Sequence, residues 1–286
     1  MIQNIAMSHK KAMTIAAAQI SVQYGNIAAN AVKHAAVMAR AAQLGVEVLV
    51  FPELSLSGYA LDEASDLQIS LDDPVLKPLK EIANDAQMLT FVGIPIRASR
   101  GGKPLLAAGV FGRDSAHLDQ YAKVHVHESE APYFQFGKVR PVFHHHTLRG
   151  GKSVCVGPSI CRDLKFPQHA AALAAAGAEV YACGALVTSE AYAGDSTLLA
   201  SYAEAPLNLN VILANYASKS GDLTPAGKSA VWASGGKQVV AAKGCEECLV
   251  IATRDLDGKW HGETVLLSPD ECDPRPGGRR HTVAAL

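Results

Sequence analysis

A layered α/β fold in a single domain is what this 286-residue sequence predicts, and three observations predict it. Apolar strand-like runs alternate with helical ones, the pattern recurs in the second half, and no low-complexity linker parts the halves. A content of 49% hydrophobic and 19% charged residues supplies apolar surface for a core and sets the chain apart from disordered compositions. Length alone leaves one large or two small domains open, and the missing linker favours one. The expected division is an extension over 1–12, a domain over 13–267, and a tail over 268–286 whose prolines and glycines oppose regular structure.

Residues 13–20 read as a strand. Ile27, Ala31, Ala35, Met38 and Ala42 then recur at helical spacing until Gly45 closes the segment, and 47–51 is a second apolar strand. Strand, helix, strand with short links is a βαβ start. Asp73 and Pro74 open a helix running to Gln87, and 88–96, 105–111 and 117–122 read as strands. In the second half 154–160 is a strand, 166–176 a helix, 179–183 a strand, 197–209 a helix interrupted at Pro206, and 211–215 a strand. Further strands are expected at 229–233, 238–242 and 248–254. The 47 alanines, set against 6% aromatic residues, imply packing through many small contacts, with Ala28, Ala31, Ala35, Ala39 and Ala42 on one helix and 170–176 on another lying close to sheets or to a second subunit.

Twenty-six basic residues balance 27 acidic ones, and no Lys/Arg run exceeds two, which argues against nucleic acid as a partner. The nearest approach to a membrane span, 171–187, is broken by Gly177, Glu179 and Gly184 and falls short of the roughly 20 residues needed. No secretory leader is indicated at the N-terminus. Six irregularly spaced cysteines suit a reducing cytoplasm better than a disulfide framework, so a cytoplasmic location with free thiols is expected.

Three segments place a reactive side chain just beyond an apolar strand: Glu53 after Phe51 and Pro52, Lys123 after Tyr121 and Ala122, and Cys161 after Ser159 and Ile160. Ligands of open α/β sheets bind where strands end, so the three could converge although far apart in sequence. A thiol nucleophile needs a base to take its proton and positive groups to hold the oxyanion formed on attacking a carbonyl. Glu53, Lys123 and Cys161 fill those roles.

The segments VLVFPELSLSGY (48–59), YAKVHV (121–126) and ICRDLKFP (160–167) resemble the three signature segments of the carbon-nitrogen hydrolase, or nitrilase, superfamily, and the resemblance extends over about 14–255. It implies a four-layer αββα sandwich, a Glu53–Lys123–Cys161 triad, and homodimers or higher homo-oligomers. It also implies a second glutamate after the lysine. Glu130, seven residues before Gly137 and preceding Tyr133 and Phe134, fits by register, with Glu128 as the competitor. The implied reaction is hydrolysis of a small amide through a thioester on Cys161, releasing ammonia and a carboxylic acid. Lys123 and the backbone N–H of Arg162 would hold the oxyanion, while Arg162, Tyr59, Tyr133 and Thr188 make up the candidate substrate-binding set. Lys123 and a helix N-terminus near Phe166 would favour thiolate at Cys161.

Arg162-Asp163 stands where nitrilases carry Trp-Glu, which favours amides over nitriles, and the residues after it resemble small-acid amidases of the ω-amidase kind. Arg162 or Arg140 could pair with a substrate carboxylate, since guanidinium matches it in bidentate geometry. The alternative is an N-carbamoyl hydrolase using the same triad, with a nitrilase or a catalytically silent scaffold behind it.

Other residues carry competing readings. Cys155 and Cys183 lie within predicted strands and read as buried small hydrophobes. Cys245 and Cys248 have C-x-x-C spacing without the second pair a zinc site would want. His144, His145 and His146 in a strand would alternate between faces and could not share one ion, so a loop or strand edge is expected there. His125 and His127, near Lys123, leave a Cys–His pair open as another way to activate the thiol. Gly150-Gly151-Lys152 and Gly235-Gly236-Lys237 lack phosphate-loop spacing and read as hairpin turns. No metal and no cofactor is expected. The loops 189–195 and 217–226 would line or miss the site depending on their path.

Overall fold

The computed structural model describes residues 11–99, 101–112, 119–139, 141–146 and 153–272. Two sheets carry the chain. The first is built from β1 (Lys11–Gln19), β2 (Val48–Val50), β3 (Leu89–Ile96), β4 (Leu105–Phe111), β5 (Asp119–Ala122), β12 (Cys248–Asp255) and β13 (Trp260–Leu266), in the order β13-β12-β1-β2-β3-β4-β5. The second runs β11-β10-β9-β8-β7-β6, from β6 (Phe143–His146), β7 (Ser153–Ile160), β8 (Val180–Gly184), β9 (Asn210–Ala214), β10 (Ala230–Trp232) and β11 (Gln238–Ala241). Each sheet holds one parallel trio, β1-β2-β3 or β7-β8-β9, extended by antiparallel neighbours. The βαβ repeat expected from the sequence is therefore one such trio in each half.

Helices α1 (Ile27–Gln43) and α2 (Lys77–Asp85) cover the first sheet, and α3 (Pro167–Ala175) and α4 (Tyr192–Ala203) the second. Between the sheets lies an apolar layer that includes Ile15, Val50, Phe91, Val156, Ala182 and Ile212. The four-layer αββα sandwich is thus present in one domain. Asn26 caps α1 by accepting from the Ala29 N–H at 3.1 Å, a bond of the kind worth about 1 kcal/mol.

Several expectations shift. The α1 face turned to the sheet is Asn30, Ala31, His34, Val37, Met38 and Ala41, with Ala28 exposed. The core face is rotated because Asn30 and His34 are drawn inward by hydrogen bonds. In α3 the sheet takes His169, Ala170 and Leu173, while Ala171, Ala172, Ala175 and Ala176 face solvent in the single chain. The helix expected at 197–209 is α4, which starts at Tyr192 and ends at Ala203, so the chain has left the helix before Pro206. The helix expected from Pro74 opens as a 3-10 turn, Pro74–Leu76, before α2. β13 was not anticipated; its alternation is hidden because most of its residues are exposed. The histidine run forms edge strand β6 with His144 exposed and His145 buried, as alternation requires. Gly235 and Gly236 turn between β10 and β11, as expected; residues 150–152 and Arg140 lie outside the described residues. A short helix, α5 (Pro269–Cys272), begins the tail, whose remainder is also outside them.

Two glycines let the sheets and the loop after β2 meet. A Cβ on Gly93 would stand 2.3 Å from both Leu54 N and Pro52 O, and one on Gly184 2.4 Å from Phe51 O. Only backbone fits there. Gly93→Ala is expected to cost about 1–3 kcal/mol in chemical denaturation, the scale of overpacking in a filled core, with an unchanged unfolding midpoint counting against this packing.

Candidate active site

Each reactive residue lies within three positions of a strand end: Lys123 and Cys161 directly after β5 and β7, Glu53 third after β2. Glu53 follows β2 in a loop whose Leu54 has φ +49°. That loop is pinned from three sides: the Tyr216 hydroxyl donates to Glu53 O at 2.6 Å, Asn30 Nδ2 donates to Leu56 O at 2.8 Å, and His34 Nε2 meets Ser55 Oγ at 2.8 Å. His34 Nδ1 lies 2.7 Å from the Asn30 carbonyl and must donate to it, so Nε2 accepts from Ser55. Burial pushes the His34 ring down to about 3 and keeps it neutral. A fully buried tyrosine, histidine and asparagine thereby fix the backbone on either side of Glu53. Periodicity had assigned Asn30 and His34 no role.

Lys123 follows β5. Its N–H donates to Leu106 O and its carbonyl accepts from Gly137 N, folding the 127–137 loop back over the strand end. Within that loop Glu130 closes its own turn, accepting from the His127 N–H at 2.7 Å. Glu130 is buried and Glu128 exposed, so it is Glu130 that meets the lysine.

Cys161 directly follows β7 and opens a 3-10 turn, Cys161–Lys165, with φ +43°. A side chain held in that region costs on the order of 1–3 kcal/mol, and such strain persists only where surroundings enforce it. Tyr202 donates to Leu164 O at 2.6 Å, and Lys165 pairs with Asp195 of α4.

These strand ends converge on one ammonium. Lys123 Nζ lies 2.5 Å from Glu53 Oε1 and 2.7 and 2.8 Å from the two Glu130 oxygens. Tyr59 donates to Glu130 Oε1 at 2.5 Å. Lys123 and both carboxylates are shut away from solvent. Two carboxylates share one cation, so their affinities for protons separate. Burial is the largest influence on Glu53 and pushes it up to about 7; Lys123 opposes this and the Glu130 charge reinforces it. Burial also acts against ionised Glu130, but Lys123, Tyr59 and the His127 N–H outweigh it and hold that carboxyl below its usual range. Burial opposes the Lys123 charge too, yet Glu53, Cys161 and Glu130 together raise its affinity for the proton. Glu53 Oε2 is left as a buried oxygen without a hydrogen-bond partner.

The thiol corrects one expectation. Burial, followed by the charge of Glu53, drives Cys161 well above the usual thiol range despite Lys123. It rests neutral, not as a thiolate. No α-helix N-terminus reaches it either, since α3 starts at Pro167. Its Sγ lies 4.0 Å from the Leu186 carbonyl, a neighbour for which the sequence offered no signal. The rings of His125 and His127 are engaged elsewhere: His125 Nδ1 with Asp163 at 2.8 Å and stacked on Phe166, His127 Nδ1 with Ser129. A Cys–His pair does not form in this arrangement.

Among the other candidates, Arg162 is partly exposed in the turn beside Cys161, and Tyr133 packs against the layer between the sheets. Thr188 Oγ1 accepts from Ala191 N and caps its own loop. Cys155 and Cys183 are buried in β7 and β8. Cys245 is exposed ahead of β12 and Cys248 buried within it. Among the described residues no cluster of three or more His, Cys, Asp or Glu could hold a metal, and no helix is long and apolar enough to cross a membrane.

A cysteine in a strained turn, an ammonium between two carboxylates, and a sandwich that assembles them define a hydrolase of the nitrilase type. The carbon-nitrogen hydrolase family model matches residues 14–258, and the chain belongs to that family. A relative from Pseudomonas protegens described as "Hydrolase in pqqF 5'region" is 30% identical over 80% of this chain and 78% of its own length. Omega-amidase NIT2 of Pongo abelii is 27% identical over 57% of this chain and 60% of its own. Among solved structures, a Cys-to-Ala mutant of the Nesterenkonia AN1 amidase from the nitrilase superfamily superposes with TM-score 0.74 at 23% identity, covering 87% of this chain and 93% of that one.

The raised Glu53 proton affinity has a thermodynamic consequence. The folded state holds this proton more tightly than the unfolded chain does, so Glu53 costs stability as pH rises from its ordinary value of 4.5 to about 7, and the cost is constant above that. Melting temperatures of the wild type should therefore fall relative to Glu53→Gln across that interval; a pH-independent difference would count against the assignment.

Proposed function

We propose that the protein hydrolyses small linear amides through a thioester on Cys161, with Glu53 as general base and acid, Lys123 as electrostatic partner and Glu130 as the group that orients Lys123 and substrate. The orphan oxygen of Glu53 carries this reading: a buried carboxyl oxygen without a partner, on a group poised near pH 7 next to a neutral thiol, is a proton acceptor awaiting its proton. A buried lysine between two carboxylates costs several kcal/mol of desolvation per ion, which folding alone gives no reason to retain.

In the first step Sγ bonds to the amide carbon, the thiol proton passes to Glu53, and the carbonyl π pair moves to oxygen. All three Lys123 N–H groups are committed to carboxylates at rest. Once Glu53 is protonated its hold on the ammonium weakens, so an N–H is released toward the oxyanion as the negative charge arrives. The backbone N–H of Arg162 is the second donor. The intermediate collapses with loss of the amine, which takes the proton from Glu53. Water then gives a proton to Glu53 and adds to the thioester, and the departing sulfur recovers that proton.

For substrate class we extend the proposal to amides of small carboxylic acids bearing a second carboxylate. Arg162, beside the nucleophile and partly open to solvent, supplies a guanidinium for it, and the kinship with an omega-amidase points the same way. Pairing of two chains, on the strength of the resemblance, and a cytoplasmic setting, on that of six irregularly spaced cysteines, belong to the same proposal.

Ammonia release across ω-amides, ureido acids and nitriles is the deciding assay. Highest kcat/KM on ω-amides is expected, with carbon dioxide accompanying ammonia if ureido substrates win instead. Mass spectrometry should find an acyl adduct on Cys161, and Cys161→Ala should abolish turnover; near-wild-type activity in that variant ends the covalent mechanism. The kcat/KM profile should rise with pH through about 7 as Glu53 loses its proton in the free enzyme. Arg162→Gln should raise KM for carboxylate-bearing amides by about tenfold or more, equivalent to one lost charged hydrogen bond, and leave neutral amides unchanged.

A further inference from the structure

Beneath the nucleophile lies a second buried polar cluster, separate from the Glu53–Lys123–Glu130 group. Its centre is Asp163, two residues past Cys161 and fully buried. Oδ2 accepts from the Ile160 N–H at 3.1 Å and the Tyr121 hydroxyl at 2.5 Å. Oδ1 accepts from the backbone N–H of His125 at 2.9 Å and meets His125 Nδ1 at 2.8 Å. The Tyr121 oxygen lies 2.8 Å from His169 Nε2; because that hydroxyl already donates to Asp163, Nε2 donates to it, and the Tyr181 hydroxyl lies 3.3 Å from His169 Nδ1. Burial disfavours the ionised carboxyl, but the His125 bond, the neighbouring His169 and Tyr121 together hold it below its usual range, so an anion with four donors sits there.

The partners of this one carboxylate are not scattered. Ile160 directly precedes Cys161, whereas Tyr121 and His125 stand two residues before and two after Lys123. The bonds therefore run from the turn that forces Cys161 to φ +43° to both flanks of the lysine, across the gap between the two sheets.

We propose that Asp163 is a positioning residue that clamps the Cys161 turn to the Lys123 strand end and so sets the distance between nucleophile and ammonium, an inference that rests on the thioester reading above. It touches neither substrate nor the reacting atoms. Without the clamp, Lys123 would still be held by Glu53 and Glu130, and Cys161 would still follow β7. Their mutual placement would lose its fixed value, and displacements on the order of 1 Å are enough to cost about 100-fold in rate.

The test reads the thiol directly, with iodoacetamide, a small primary amide whose carbon bonds to Sγ as iodide leaves and the thiol proton passes to Glu53. Alkylation of Cys161 and of exposed Cys245 is followed in the same full-length chain by peptide mass spectrometry. In the wild type Cys161 should be alkylated at a rate that Glu53→Gln lowers, while the rate of Cys245 stays unchanged. Asp163→Asn should slow Cys161 by about 10- to 100-fold with Cys245 unchanged. Tyr121→Phe, which keeps the buried ring and removes only the hydroxyl that donates to Asp163, should slow Cys161 several-fold. If Tyr121 acts through Asp163, the double variant should lose less than the product of the two single losses. On an amide the wild type turns over, kcat should fall with KM nearly constant. A Cys161 rate that Glu53→Gln leaves unchanged removes the general-base reading and the clamp with it. A Glu53-dependent Cys161 rate that both Asp163→Asn and Tyr121→Phe preserve, or losses that simply multiply, overturns the clamp alone.

Discussion

The ammonium of Lys123, buried and shared between Glu53 and Glu130, is the constraint around which the molecule is arranged. An ion group of this kind cannot exist at an isolated strand end, where water would screen it and the lysine would swing free. It needs two carboxylates delivered from separate loops, a dry enclosure, and donors enough to keep Glu130 charged. The sandwich meets these conditions by bringing the loops after β2 and β5 together, beside the turn after β7, and sealing them between sheets packed so tightly that Gly93 and Gly184 admit no side chain.

The asymmetry of the two carboxylates follows from their partners. Glu130 has the lysine twice, a tyrosine hydroxyl and a backbone N–H; Glu53 has one bond to the lysine and a bare oxygen. With only one cation for two acids, the better-bonded one keeps the charge and the other becomes able to exchange a proton near neutrality. The same enclosure raises the Cys161 thiol, so at rest a neutral thiol stands beside a carboxyl able to exchange a proton near neutrality. In the proposed mechanism charge separation is deferred to the moment a carbonyl is present to receive it.

Around this centre the polar residues buried in the helical and strand layers act as struts. Asn30 and His34 of α1 and Tyr216 after β9 hold the loop of Glu53, and Asp163, Tyr121, His125 and His169 lie under Cys161. Each was drawn into the interior by a specific hydrogen bond, and for that reason the hydrophobic periodicity of α1 and α3 did not predict which faces meet the sheets. α4 was misplaced for a related reason: an Ala- and Leu-rich run fits a helix in several frames, and only its packing on β9 and the Lys165–Asp195 pair select the one that starts at Tyr192.

What the sequence by itself determined was the family and the order of three reactive residues along the chain. Three reactive residues each close an apolar run, and that local pattern is legible because strand periodicity and turn residues are local properties. The βαβ repeat was legible on the same grounds, while the preference for Glu130 over Glu128 came from the register of the resembled family. Tertiary structure alone decided that Glu130 and not Glu128 reaches the lysine, that the thiol rests neutral, that His125 serves Asp163 instead of the nucleophile, and that a backbone carbonyl from Leu186 borders the sulfur. Proton affinities and hydrogen-bond partners depend on burial and on distances between residues far apart in the chain. Those quantities exist only once the two sheets have closed on each other.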